Sequence, residues 1–420
     1  MITNTVGPGV IPMNNPIKTQ SQKGIATLVG SLAFLIITTL MVFFAARVGL
    51  FDLRMSANDV RYQEAFATAE AGLDFAIQKF EDQFRTNFTG PASWSTIVSN
   101  SQVATGTEID GTVAEAGEPS FGVSVTDTGA LINGMTVFHF QSTGLSADGT
   151  GKVTVNREIT MKKILGGSLP PVSILLSGTM GTGGNFNIVA NPNGAGNGIP
   201  VSIWTNDDVT MTGSSATCQK QYFDRNNAQC SNSSGNSELL SEGDGTTISS
   251  YDSTFPDVLP NDPHFPHDIF RYIFGVAHND WEAIYSMANS NHQVASSCSG
   301  LNTTSGQKFR LWWITGNCYM GSNQVIGSEN DPVILVIDDH KLDMRGGARI
   351  YGVPYLFDNP GNNATPSSDF HGSPAIYGSF VSDIGGNAMQ GSYSVVYEPT
   401  LLGNLTSPNK SSNYGIALFN

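Results

Sequence analysis

Residue types that could carry out catalysis are present in this 420-residue sequence, but their spacing matches no familiar catalytic set. There is no Gly-x-Ser-x-Gly elbow, no glycine-rich phosphate-binding loop before a helix, and no His-Glu-x-x-His motif. Asp338 and Asp339 end a predicted strand beside His340. Neighbouring strand residues point to opposite faces, which disfavours paired acid and base roles. We therefore expect no catalytic activity and no cofactor.

Metal ligation is also poorly supported by the spacing of potential ligands. His264 and His267 lie three residues apart, but each follows a proline in a predicted loop. The acidic residues at 207–208 and 242–244 could hold calcium, yet they lack the spacing of an EF-hand loop. We therefore expect no metal site.

The four cysteines fall into two sequential pairs, Cys218 with Cys230 and Cys298 with Cys318. Each pair brackets a polar loop, and neither has the short Cys-x-x-Cys spacing of a zinc or redox site. Two disulfides between sequence neighbours, formed in an oxidising compartment, are the simplest interpretation, although four cysteines allow three pairings. Four free buried thiols are the alternative.

The composition indicates a β-rich protein that does not bind nucleic acid. Only 13% of residues are charged, 40% are hydrophobic, and there are 46 glycines. This balance favours strands joined by tight turns over a helical bundle or a disordered chain. The net charge of −15 leaves no basic surface to displace counterions from phosphates. The length allows two or three domains.

The first part of the chain is predicted to anchor it in a membrane. Residues 1–24 contain Lys18 and Lys23 but no acidic residue, and residues 25–46 carry no charge. A helix over 25–46 spans about 33 Å, enough to cross a hydrocarbon layer of ~30 Å. Because the lysines precede the apolar run, we expect a cytoplasmic N-terminus and an exported remainder.

The helix is predicted to continue beyond the membrane as an amphipathic extension over residues 47–90. No proline interrupts the sequence between Ile25 and Gly90. A cleaved signal peptide has a shorter apolar core and no such continuation. Apolar residues follow one helical face at spacings of three and four: Phe66, Ala69, Leu73, Ile77, Phe80 and Phe84.

Residues 22–80 resemble the PilX-type minor pilins of type IV pili. The resemblance rests on a short basic leader ending in Lys23-Gly24, an apolar helix that begins at Ile25, and the segment Ala65–Gly72. It implies that a prepilin peptidase cleaves after Gly24 and leaves Ile25 as the N-methylated first residue.

The same resemblance implies partners and a location. The implied partners are other minor and major pilins, the inner-membrane assembly platform and a tip adhesin. Before assembly the chain would lie in the inner membrane with its bulk in the periplasm, and afterwards in an extracellular filament.

Val29 departs from the pattern of the major pilins, which carry glutamate at this fifth mature position. In that family the carboxylate pairs with the N-terminal amine of a neighbouring subunit, because an unpaired buried charge is costly. A subunit that is inserted first meets no earlier amine. We therefore predict a position at or near the filament tip, with neutral variation at Val29 as the alternative.

The region 91–165 is predicted to form an antiparallel sheet. Polar and apolar residues alternate at 121–125, 136–141 and 152–163, with glycine-rich turns between them. The amphipathic helix would pack on this sheet and give a pilin-like α+β unit.

Residues 166–420 are predicted to form a mainly β domain, a right-handed parallel β-helix (solenoid) with a helical insertion near 262–291. The segment Ala348–Val353 is echoed by Pro374–Ser379, which starts 26 residues later. Short strands with glycine at the bends and a repeat of this length are typical of β-helices. A β-sandwich is the alternative.

These features together predict a minor pilin that starts or caps a filament and displays its β domain for adhesion or partner binding. One alternative is an adhesin or polysaccharide-acting β-helix enzyme on a prepilin-like anchor. Another is a pseudopilin at the tip of a type II secretion system.

Overall fold

A computed structural model describes residues 23–420 except 90, 109, 133–134, 195–197, 231–237, 302–308, 363–364, 391, 408–409 and 419–420. The leader predicted over residues 1–24 therefore lies almost wholly outside the described residues.

The α-helices are α1 Lys23–Asn87, α2 Trp94–Ser101, α3 Lys220–Arg225, α4 Ile269–Phe274, α5 Glu282–Ser290 and α6 Pro399–Thr406, with 3-10 helices at Pro91–Ser93, His278–Asp280 and Ser411–Asn413. The strands are β1 Val103–Thr107, β2 Ser120–Ile132, β3 Met135–Leu145, β4 Lys152–Lys163, β5 Ile174–Leu176, β6 Met180–Gly183, β7 Phe186–Val189, β8 Ile203–Thr205, β9 Val209–Met211, β10 Ala216–Cys218, β11 Leu239–Glu242, β12 Thr247–Ile248, β13 Val258–Leu259, β14 Val294–Ala295, β15 Leu311–Ile314, β16 Cys318–Met320, β17 Val325–Ile326, β18 Val333–Asp338, β19 Lys341–Arg345, β20 Arg349–Phe357, β21 Ser367–His371, β22 Ala375–Gly378, β23 Phe380–Ser382, β24 Gly386–Gln390, β25 Tyr393–Val396 and β26 Tyr414–Leu418.

One antiparallel sheet, in the order β1-β2-β3-β4-β26, packs against the second half of α1. We call this assembly, residues 23–163 with 414–418, the rod unit. Its core is strongly aromatic: the ring of Phe80 lies 4.9 Å from that of Phe138, and Phe84 stacks on Trp94 at 5.4 Å between centroids. The predicted strands at 121–125, 136–141 and 152–163 fall within β2, β3 and β4.

Residues 164–413, which we call the distal domain, are mainly β. They form a 14-stranded, a 4-stranded and a 3-stranded sheet. In the described residues the strand pairs of these sheets are parallel, except β10 with β11 and β9 with β12. The echoed sequences are neighbours: Arg349–Gly352 pairs in parallel with Ala375–Gly378, so the 26-residue repeat is the step from one strand to the next.

The long strand β18 shows how the distal domain is layered. Val333, Leu335 and Ile337 belong to the inner core, whereas the alternate residues Ile334 and Val336 belong to a second, outer core. Helices α4, α5 and α6 share that outer core and cover this face of the sheet. A strand buried on both faces reads as a continuous apolar run, which explains the sequence Val-Ile-Leu-Val-Ile.

The strands of the distal domain do not stack in chain order. The last three strands pair with the first three: β23 with β5, β24 with β6 and β25 with β7. Strand β13 lies at one end of the 14-stranded sheet, and the chain continues from it through α4 and α5 to β14. These helices form the insertion predicted near 262–291.

The distal domain is an insertion within the rod unit. Residues 414–418 return from it and pair antiparallel with β4, from Tyr414 opposite Lys163 to Leu418 opposite Ile159. The sequence analysis placed these last residues in the C-terminal domain, and the structure places them in the sheet assigned to 91–165. Pairing over so long a sequence separation leaves no local signature, which is why the boundary was misplaced.

The prediction of a long N-terminal helix followed by a mainly β region is confirmed. The finer prediction of a right-handed parallel β-helix stays a prediction.

The partly buried acid Asp383 in the distal domain gives a testable pH dependence. Its Oδ1 accepts a hydrogen bond from the Tyr355 hydroxyl at 2.5 Å, and its Oδ2 accepts one from the Asp358 amide at 3.2 Å. Burial raises the pKa of Asp383 to about 7 from its ordinary 3.8, with the Tyr355 hydrogen bond acting against the shift. The folded state therefore binds this proton more tightly, so its contribution to stability is lost as pH rises from about 4 to about 7.

Over this pH range, we expect the melting temperature of wild type to fall relative to that of Asp383→Asn. Above about pH 7, the difference between the two melting temperatures should stay constant. Thermal unfolding by circular dichroism at several pH values measures the difference, with Asp224→Asn on the surface as the control. A constant offset between wild type and Asp383→Asn at all pH values would contradict the assignment.

Candidate assembly interface

The first half of α1 is an apolar surface without a partner in this chain. Its large exposed apolar side chains between Leu28 and Val48 have exposed fractions of 45% to 71%. An 18-residue window has a mean hydropathy of 2.4 and no buried residue. By length and composition, this is the one helix among the described residues that can cross a membrane.

The same helix becomes a core element from Ala65 onward. Six residues on one face have exposed fractions of 0–1%: Ala65, Ala69, Leu73, Ala76, Phe80 and Phe84. The sheet comes very close here, because a Cβ added to Gly144 would lie 2.2 Å from the Ala65 carbonyl oxygen. Only small side chains fit the helix surface at such an approach.

The predicted apolar stripe was right at four of six positions and displaced at two. Phe66 is 43% exposed and Ile77 is only partly buried, whereas Ala65 and Ala76 are buried in their place. At the first of these positions, the narrow gap beside Gly144 brings the sheet against Ala65 and Ala69, where a larger side chain would not fit.

Three ion pairs, made by two arginines, connect α1 to a loop and a strand of the rod unit. Arg61 Nε lies 2.6 Å from Asp148 Oδ2, next to the point where the exposed half of the helix ends. Arg157 on β4 lies 3.0 Å from Glu70 Oε2 and 3.1 Å from Asp74 Oδ1. These pairs are partly exposed, so we assign them a small share of the stability.

The predicted processing site lies at the start of the described chain. Gly24 and Ile25 belong to the first turn of α1, and Val29 follows one turn later with 56% of its side chain exposed. No glutamate or other acidic residue occupies the exposed helix before Asp52. Val29 therefore presents an apolar surface where a carboxylate would otherwise stand.

The disulfides of the distal domain join sequence neighbours. Cys218 is bonded to Cys230 and Cys298 to Cys318, with Cα atoms 5.3 Å and 4.6 Å apart. Cys218 ends β10 and Cys318 begins β16, so each bridge ties a loop to a strand of the domain.

The acidic pair considered for catalysis is engaged in local hydrogen bonds. Asp338 accepts from the Trp313 indole at 2.9 Å and from the Asn359 amide group at 3.0 Å. Asp339 accepts from the Asn359 backbone amide at 2.8 Å. His264 bonds to the nearby Asp262. No group of three potential metal ligands comes together within the residues that the structure describes.

Sequence reasoning missed the residues that connect the two parts of the molecule, above all Arg85 and Tyr414. The Arg85 side chain, 7% exposed, lies near the end of α1 and donates to carbonyls of the chain's last segment. Tyr414 enters the aromatic core of the rod unit with 7% of its surface exposed. A short apolar run at 414–418 was the only available signal.

The family match falls on the part of the chain that contains the exposed helix. Residues 23–74 match the family model described as PilX N-terminal. This segment is similar to the PilX N-terminal family. No curated protein and no solved structure matches the chain. The PilX N-terminal segment supports a minor pilin of a type IV pilus that associates with other pilus components, and its apolar helix fits membrane anchoring.

Comparing an apolar with an ionic contact tests what holds the PilX N-terminal helix to the sheet. Phe80→Ala removes a fully buried ring between Phe138 and Phe140 and is expected to cost about 3–5 kcal/mol. Arg157→Ala removes two partly exposed ion pairs and is expected to cost about 1 kcal/mol or less. Urea unfolding of the purified chain measures both values. An equal or larger cost for Arg157→Ala would contradict the assignment of stability to the apolar face.

Proposed function

We propose that this protein is a minor pilin that initiates a type IV pilus-like filament and remains at or near its tip. The observation that carries the proposal is the distribution of surfaces along one helix. An uncovered apolar half belongs to the PilX N-terminal segment, and the opposite end of the same helix contacts a large inserted domain.

The apolar half of α1 would serve twice in this function. In the inner membrane it holds the chain with its N-terminus in the cytoplasm and its bulk in the periplasm, which the lysines of the leader favour. After a prepilin peptidase cleaves between Gly24 and Ile25, and Ile25 is methylated, the same surface packs among the helices of other pilins. The match to the PilX N-terminal family supports both steps.

The placement of the distal domain supports the tip position. Its segment around Ser411 and Asn291 contacts Arg85, at the end of α1 remote from the apolar half. A subunit added above this one along the filament would need the space that the domain occupies. Val29 adds a second argument, because a first subunit has no earlier amine for a glutamate to meet.

The distal domain would be a right-handed parallel β-helix that is displayed outward to bind a surface or an adhesin partner. Parallel pairing, the 26-residue step between β20 and β22, and an inner core enclosed by three sheets support this fold. The right-handed sense follows from the strong preference of parallel crossovers. The two disulfides suit exposure outside the cell.

We propose binding rather than catalysis for the distal domain. The carboxylates of Asp338 and Asp339 accept hydrogen bonds from Trp313 and Asn359, which supports a role in holding the turn after β18. Polysaccharide turnover by the purified protein would instead favour a carbohydrate-active enzyme on a pilin-like anchor.

Labelling of filaments tests the position directly. Gold-labelled antibody against the distal domain is expected at filament ends, and an antibody against a major pilin in the same preparation is expected along the whole length. Label spread along the shaft would contradict the tip position. Label confined to the cell envelope, with secretion lost on deletion of the chain, would favour a type II secretion pseudopilin.

The substitution Val29→Glu tests the reason for the tip position. A carboxylate without a partner amine inside an apolar bundle costs several kcal/mol. We therefore expect Val29→Glu to lower the number of filaments per cell at least severalfold, while Val29→Leu leaves it unchanged. Electron microscopy gives the counts. Equal filament numbers and equal end-labelling in both variants would remove the support that Val29 gives.

A further inference from the structure

We propose that strand β26 is a latch that makes the rod unit ready for assembly only after the whole distal domain has been exported and folded. This inference rests on the proposed function, since it assumes that the chain crosses the membrane from its N-terminal anchor toward its C-terminus. It assigns a regulatory role to residues 411–418, which the family match does not reach.

The latch is the last strand among the described residues and lies at an edge of the rod-unit sheet. It pairs with β4 over five residues, and the Ile164 amide donates to the Asn413 carbonyl at 2.9 Å. Everything between β4 and β26 belongs to the distal domain. The sheet therefore stays one strand short until residue 418 has reached the same compartment.

Tyr414 shows that this strand closes the core. Its ring lies 5.0 Å from the ring of Phe88 and 6.0 Å from that of Phe84, both edge-to-face. These rings also contact Trp94. Without Tyr414, an aromatic cluster at the end of α1 would face solvent, and aromatic side chains dominate the energetics of such cores.

Arg85 couples the latch to both parts of the molecule. Its Nη1 donates to the carbonyls of Ser411 at 2.7 Å and Tyr414 at 3.1 Å, and its Nη2 donates to Asn291 Oδ1 at 2.8 Å. Asn291 directly follows α5 in the distal domain. Glu81, one turn earlier on α1, is a local partner at 3.5 Å, but these three hydrogen bonds form only when α1, the last segment and the distal domain are all in place.

Arg310 holds the preceding stretch in the same way from the distal domain. Its side chain is 1% exposed and donates from Nη1 to the Asn404 carbonyl at 2.9 Å and from Nη2 to Asp331 Oδ1 at 2.9 Å. Its backbone amide donates to the Ser412 carbonyl at 3.2 Å. The last segment is therefore positioned by the folded distal domain before it reaches β4.

The arrangement implies an order of events. The anchor and β1–β4 emerge first but leave an open core, then the distal domain folds, and only then can β26 complete the sheet. A subunit with a truncated or misfolded distal domain would keep an exposed aromatic cluster and would be held back from the filament.

Truncation of the full-length chain tests the latch. One variant ends at Asn413 and lacks β26, and its matched control ends at Leu418. We expect hydrogen exchange at α1 residues 65–87 to become at least tenfold faster in the first variant only, with protection in β18 unchanged. In cells, the chain ending at Asn413 is expected to fall at least tenfold in purified filaments and to remain in the membrane fraction.

A rescue experiment separates latch closure from general damage. Arg85→Ala is expected to reduce the amount of chain in filaments, and a disulfide from Thr160→Cys with Ala417→Cys, which are opposite in the β4–β26 register, is expected to restore it. The control carries the same two cysteines but keeps Arg85 unchanged, and it should assemble at the wild-type level.

Three results would overturn the latch. The first is that hydrogen exchange in α1 is unchanged in the variant that lacks β26. The second is that β18 loses as much protection from exchange as α1 does in that variant. The third is that the chain ending at Asn413 enters filaments at the normal level. If wild type itself is absent from filaments, the proposed function fails, whereas the exchange data still decide whether β26 closes the rod unit.

Discussion

The structure depends on one constraint: a continuous helix buries its second half in its own chain and leaves its first half with nothing to cover it. About a dozen large apolar side chains lie exposed there, and each costs roughly 1.5–3 kcal/mol in water. Covering them would gain on the order of 20–30 kcal/mol, a gain that folding of this chain alone does not supply. Lipid or other helices must therefore cover this surface in any working state of the protein.

The rest of the molecule is arranged around the far end of that helix. The sheet of the rod unit packs so closely on α1 that glycine is required at position 144. The distal domain is inserted beyond β4 and returns through β26, with Arg85 between them. A force or displacement applied to the helix would thus reach the distal domain through buried contacts rather than through a flexible linker.

Local patterns allowed much of the fold to be predicted from the sequence. The helix follows from an uninterrupted apolar stripe with a period of 3.6 residues, and strands such as β18 and β22 follow from short apolar runs between turns. The disulfides follow from neighbouring cysteines that bracket loops. The prediction of a processing site at Gly24 and Ile25 came only from the family resemblance, because such processing depends on another protein.

What the sequence could not provide were pairings between distant residues. Thr160 and Ala417 lie opposite each other in one sheet, although nothing near either residue specifies the other. The parallel pairing of β25 with β7 could not be predicted for the same reason. The alternation of residues along a strand shows which face is buried, but it does not show which strand lies beside it. Arg85 could not be recognised as a junction because two of its partners are backbone carbonyls, which have no sequence signature, and a third, Asn291, is distant in sequence.

The central claim is that the exposed helix remains part of the working protein, and the N-terminus of the native chain tests it most directly. Intact-mass and N-terminal peptide analysis of protein purified from filaments should find Ile25 as the first residue, with the whole apolar half of α1 retained. A first residue downstream of Ala46 would mean that this half is removed before function, and the assignment to a pilus filament would be wrong.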